Sequence, residues 1–246
     1  MVLSPSCSSK ITRQSKLIAS AQTDLENMLP ILKPPKFDLN ELVRIQEKIA
    51  KNVVREDRFK KLKTIAGCDL SFASGDEAYA ACALLDYKSL ELIDKKIAKV
   101  KVEFPYIPTF LAFREFDPMS KVARDIDADV FMIGAQGIAH PRRAGLASHF
   151  GVLIDKPTVG VAKGRLCGEA EEPPNERGAY SLLKDGKEVI GAVLRTQKDA
   201  KPVYVSIGHK LSLKTAIKIT LETVRENRLP EPLRVAHELA TRAMRS

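Results

Sequence analysis

Residues 131–166 read FMIGAQGIAHPRRAGLASHFGVLIDKPTVGVAKGRL, and a short apolar run stands near each end of the stretch. Val130 to Ile133 and Val159 to Ala162 are too short for helices and rich in branched residues, so each is predicted as a buried strand. Between them lie a glycine-rich turn, the sequence His140-Pro141-Arg142-Arg143, and an apolar segment predicted as a helix from about Arg142 to Leu153. A strand, a helix and a second strand in that order make a crossover unit with the two strands parallel.

Working outward, three β-like runs precede this unit, at Thr64 to Phe72, Ala78 to Leu85 and Leu90 to Val102. Ser74-Gly75-Asp76 and Asp86-Tyr87-Lys88 separate them as turns, which implies an antiparallel meander. A helix is expected from Ile107 to Ile126, and another from Leu39 to Val54, where apolar residues recur at helical spacing and Asp38 stands as N-cap. Downstream, Val189 to Arg195 and Val203 to Ser206 read as strands and Leu213 to Asn227 as a helix; Glu169 to Glu176, acidic and proline-bearing, reads as a loop. An antiparallel start feeding a parallel continuation is the layout of an α/β, ribonuclease-H-like fold, a mixed central sheet with flanking helices. Residues 1–36, Ser- and Lys-rich and closed by Lys33-Pro34-Pro35, are expected to be an appendage to one domain spanning 37–246.

Forty Lys and Arg against 31 acids leave a formal charge of +9, which favours polyanionic partners and makes nucleic acid the leading partner class. No run approaches the length of a membrane span and no secretory apolar segment opens the chain. The four cysteines form no CxxC pair; reduced thiols, a cytoplasmic location and a monomer are the expectations.

Chemistry is concentrated at a few positions. Asp69 interrupts the apolar strand Ile65 to Phe72, where a carboxylate is costly unless it meets a cation or several donors. Two roles are open to it, a ligand for a hard divalent ion or a solvent-facing strand-end acid. Glu115 falls on the helix after Pro105-Tyr106-Ile107-Pro108, as a metal-site acid or part of a solvated face; Tyr106, stiffened by prolines on both sides, is either a packed loop aromatic or a wedge against a base stack. His140 sits where it would relay a proton or simply cap the turn, and Arg142 with Arg143 suits phosphate at a helix start. Lys163 ends a strand, within reach of a phosphate or of solvent alone.

Taken together, IAGCDLSF, PYIPTFLAFRE, GAQGIAHPRRAGLASHFGVLIDKPTVGVAK, VYVSIGHK and RLPEPLRVAH resemble the endonuclease V family in order and spacing, over about residues 39–240. The resemblance implies recognition of deoxyinosine in DNA, and for some members inosine in RNA, with Mg²⁺- or Mn²⁺-dependent hydrolysis of the second phosphodiester bond 3′ to the lesion. It implies that Asp69 and Glu115 are metal-site carboxylates, Tyr106 the wedge, His140 and Lys163 active-site auxiliaries, and His209 a further active-site histidine. The glycine-rich turn, with Gly137, and the PYIP loop would read the base through backbone groups, with Arg142 on the nucleic acid.

The sequence departs from the family's Asp-Gly-Gln-Gly or Asp-Gly-His-Gly turn, because Gly134-Ala135-Gln136-Gly137 lacks the acid that would be a second strand-borne ligand. Asp129 is no substitute, since five residues along a strand is about 16 Å and the opposite face. Thr109 is a smaller departure, where several family members have glycine. An impaired endonuclease is therefore the leading expectation, and a non-cleaving protein that binds inosine in DNA or RNA is the alternative. A third class, a phosphate-binding α/β domain for small molecules, fits poorly, since GAQGIAH has neither GxGxxG nor Walker spacing.

Overall fold

A computed structural model of the chain describes residues 38–246, so the expected appendage at 1–36 lies outside the described residues. Among the described residues, α1 (Leu39–Asn52) leads into β1 (Thr64–Phe72), β2 (Glu77–Asp86) and β3 (Leu92–Lys101). Then come α2 (Leu111–Ala123), β4 (Val130–Ile133), α3 (Leu146–Ile154) and β5 (Thr158–Ala162). The chain closes with β6 (Tyr180–Asp185), β7 (Glu188–Leu194), β8 (Val203–His209), α4 (Leu213–Glu222) and α5 (Glu231–Arg245).

All eight strands form one sheet in the order β3-β2-β1-β4-β5-β8-β7-β6. β1, β2 and β3 are antiparallel neighbours, β1, β4 and β5 run parallel, and β8, β7 and β6 return antiparallel. This is the mixed sheet with flanking helices that the sequence implies. Side chains alternate across it with period two. Ala66, Cys68, Phe131 and Ile133 point to the layer of α2 and α3, while Ile65, Val130 and Met132 point to the layer of α4 and α5. Among the described residues, no helix is long and apolar enough to cross a membrane.

Three helix boundaries are displaced from the sequence expectation by about a turn, each for a local reason. α2 begins at Leu111 and not at Ile107, because Thr109 takes a φ of 68° that no right-handed helix accommodates. α3 begins at Leu146 and not at Arg142, because Arg143 has a φ of 56° and Gly145 is extended. α4 ends at Glu222, five residues early, where the Thr223 carbonyl accepts the Glu231 amide and the chain turns into α5. β6 and α5 are elements that the sequence reading did not assign.

Candidate active site

Asp69 stands near the C-terminal end of β1, on the face that α5 covers. Its neighbour Cys68 pairs with Ile133, so Gly134 follows directly at the end of β4, and Lys163 follows Ala162 at the end of β5. Three parallel strands thus deliver Asp69, Gly134 and Lys163 to one edge, where α/β sheets habitually open a crevice. Glu115 arrives from α2 on one face and His237 from α5 on the other. His237 Nδ1 lies 2.7 Å from Asp69 Oδ2.

Electrostatics tie these groups together. Burial raises the Asp69 carboxyl above the usual range, and the opposing pull comes first from its His237 hydrogen bond and more weakly from Lys163. Burial, then the charge on Asp69, pushes Glu115 up to about 7. Two desolvated carboxylates that repel one another are a site short of positive charge. Their oxygens are the ligands a hard divalent cation takes, and such an ion needs only one or two protein carboxylates beside water and phosphate. Yet no group of three or more His, Cys, Asp or Glu among the described residues is placed to hold a metal.

Gly134 is where a third would stand. A Cβ built there meets Asp69 Oδ1 at 3.6 Å and Leu233 Cδ2 at 3.9 Å, ordinary contacts that leave room for a side chain. Asp129 is occupied at the far end of the sheet, accepting from the Lys63 amide at 2.8 Å and the Thr64 amide at 3.0 Å.

Beside the carboxylates opens a cavity of about 300 Å³, whose lining includes Tyr106, Thr109, Gly134, Gln136, His140 and Leu146. Tyr106 is 69 % exposed, so its ring is free of the core. Gln136 Nε2 donates to the Gly164 carbonyl at 2.8 Å, while its amide oxygen is buried with no partner among the described residues. A larger groove of about 1020 Å³ runs along β6, past Glu169, Lys184 and Asp185, and contains none of these groups.

Several expected roles change. Both ring nitrogens of the buried His140 are engaged, Nε2 by the Thr109 carbonyl at 2.9 Å and Nδ1 by the Arg142 amide at 3.1 Å, which leaves no free nitrogen for a proton relay. Burial holds its ring down at about 4, neutral at physiological pH. Arg142, expected on phosphate, donates to Thr109 Oγ1 at 2.7 Å and lies 4.6 Å over the Phe110 ring. Arg143 is paired with Asp185 and Glu188. Gly137 is a packing residue and not a base contact, since its amide donates to Ser206 Oγ and a Cβ would stand 2.0 Å from the Ile207 carbonyl oxygen.

His209 is not at this site. Its strand runs antiparallel to β5, so it pairs with Thr158 at the opposite end from Lys163, where its Nδ1 accepts the Val54 amide. The histidine beside the carboxylate is His237, to which sequence reasoning gave no role. Its only signal was its place at the end of RLPEPLRVAH.

The endonuclease V family profile matches residues 47–238. The endonuclease V of Methanothrix thermoacetophila is 49 % identical over 207 residues, 84 % of this chain and 92 % of that protein. The Streptomyces avermitilis endonuclease V structure superposes with a TM-score of 0.80 at 34 % identity, covering 86 % of this chain and 94 % of that one. A Ciona intestinalis endonuclease V solved with a 24mer DNA containing an inosine superposes at 0.74 with 27 % identity, covering 84 % and 97 %.

Proposed function

The chain belongs to the endonuclease V family of metal-dependent nucleases, and on that premise we propose that it is a deoxyinosine-directed endonuclease with a weakened metal site. Its substrate on this reading is DNA containing deoxyinosine, with inosine-containing RNA as a second substrate, cut at the second phosphodiester bond 3′ to the lesion. The observation that carries the proposal is that Gly134 belongs at once to the wall of the base-sized cavity and to the carboxylate cluster. A base in that cavity therefore has its backbone beside Asp69 and Glu115.

Asp69 and Glu115 would hold Mg²⁺, or Mn²⁺, and the ion when bound would supply charge neutralisation at phosphorus and a more acidic water. The chain's own groups do the rest. With Nδ1 committed to Asp69, His237 offers Nε2 to take the proton of an attacking water. The Lys163 ammonium balances charge on phosphate oxygens from the end of β5. Tyr106 fills the gap left by an extruded base. Hypoxanthine presents O6 and N1–H where adenine presents an amino group and a bare N1. Backbone amides and carbonyls of the cavity wall can donate to O6 and accept from N1–H together, a pairing that adenine cannot match.

Gly134 also supports a second reading, inosine binding without efficient cleavage. One variant, compared with the parent, separates the two. Asp69→Ala should abolish metal-dependent nicking of a deoxyinosine duplex and leave metal-free binding within about twofold, since the side chain serves the ion and not the core. Parental nicking by that variant would refute the site, and an undetectable rate in the parent itself would favour the binder.

A further inference from the structure

Thr109 closes the loop that carries Tyr106, and its φ is 68°. For a β-branched residue this left-handed conformation is strained, because Cβ crowds the following carbonyl. Such strain persists only where the surroundings over-determine it. Here they do so through one oxygen. The Thr109 carbonyl accepts from Gln46 Nε2 at 2.7 Å, His140 Nε2 at 2.9 Å and Arg142 Nη2 at 3.2 Å.

The three donors are also cross-linked to one another. Arg142 Nε donates to Gln46 Oε1, and the Arg142 amide donates to His140 Nδ1, which leaves Nε2 as the protonated ring nitrogen. Arg142 further binds Thr109 Oγ1 and lies over Phe110. Gln46 is fully buried on α1, a polar side chain in an otherwise apolar helix face. Its cost is offset only by the bonds it makes here. Between Tyr106 and this hub the chain has little freedom, since Pro108 restricts Ile107 and the Phe110 amide closes on the Ile107 carbonyl at 3.0 Å.

We propose that Gln46, His140 and Arg142 are positioning residues that clamp the Thr109 carbonyl and so hold the Tyr106 ring at the mouth of the cavity. His140 acts on the substrate through the loop and not as a proton carrier. This inference rests on the reading of Tyr106 as the wedge.

The test uses the full chain, without divalent metal, on a duplex with deoxyinosine followed on its 3′ side by 2-aminopurine, whose fluorescence rises on unstacking. The parent should give the rise at saturation and prefer the deoxyinosine duplex to its adenine counterpart. Gln46→Leu should lose most of the rise and reduce that preference by roughly fivefold to tenfold, as expected for one or two hydrogen bonds. Adding Thr109→Gly should recover part of both, because glycine keeps the left-handed conformation without the clamp. Because glycine at 109 also relieves strain and so stabilises the fold in any background, thermal stability is measured beside the fluorescence and the variants are compared where each is folded. Arg142→Met carries the same expectation and serves if Gln46→Leu does not fold. Parental fluorescence and preference in the clamp variants, with Tyr106→Ala abolishing both, would overturn the clamp while leaving the wedge standing. A full rise with Tyr106→Ala would overturn the wedge reading and the inference with it.

Discussion

Asp69 and Glu115 are each raised by burial, and Glu115 reaches about 7 from an ordinary 4.5 through burial first and the charge of the neighbouring Asp69 second. A carboxyl with a raised native pKa keeps a proton that the unfolded chain has already released, so it stabilises the fold at low pH and loses that contribution as pH rises. Metal-free thermal stability should therefore fall between pH 4.5 and about 7, and Glu115→Gln should flatten the slope. At sub-saturating metal, cleavage should run the other way and rise with pH, because the ion and a proton compete for Glu115; a flat rate profile under that condition would contradict its role as a ligand. At Gly134 the spare room permits a direct repair. Gly134→Asp should raise Mg²⁺-dependent cleavage, most at low metal, and should leave metal-free binding unchanged. Asp69 was legible because an acid in an apolar strand asks for a partner, whereas Glu115 on a helix and Lys163 at a strand end stood out only through the family resemblance. His237 did not stand out, since a lone histidine on an amphipathic helix has no local mark, and His209 misled because the direction of β8 cannot be read from its own residues.

At the scale of elements, the site depends on how closely α5 lies on β1. A Cβ at Gly67 would stand 2.0 Å from the Pro232 carbonyl oxygen, so only glycine lets the first turn of α5 rest on the strand backbone. Gly67→Ala should lower stability by about 3 kcal/mol, the upper part of the usual range for overpacking. Because the shift moves the helix that holds His237 over Asp69, cleavage should fall further than stability at a temperature where the variant is folded. Equal thermal stability to the parent would show that the contact is soft. β1 and β4 could be bounded from sequence because mainly apolar runs that end at turn residues leave little choice. β6 could not: it is a half-exposed edge strand, with Tyr180 and Leu182 outward. The two-residue turn Gly186-Lys187 that joins it to β7 was its only signal. α5 was assigned no element although Leu233, Ala236 and Ala240 form a buried stripe at helical spacing and Pro232 stands in the first turn, where proline is tolerated.

The whole molecule carries a formal charge of +9, and its cavity adjoins acids that would repel a phosphate without a cation between them. Binding to an undamaged duplex should fall at least about tenfold between roughly 50 and 200 mM salt, as counterion release requires for several phosphate contacts. A salt-insensitive affinity would favour a small-molecule ligand instead. The mixed sheet was readable in outline from the order of hairpins and crossover, whereas the meeting of strand ends with α2 and α5 is a tertiary fact that no segment encodes alone. The most direct measurement is single-turnover cleavage of an end-labelled duplex holding one deoxyinosine, with Mg²⁺ titrated, for the parent and Gly134→Asp side by side. The predicted result is one nick at the second phosphodiester 3′ to deoxyinosine, absent from the adenine control, slow in the parent and faster in the variant at low metal. Cleavage that ignores the deoxyinosine, or none from either protein at any metal concentration, would contradict the account.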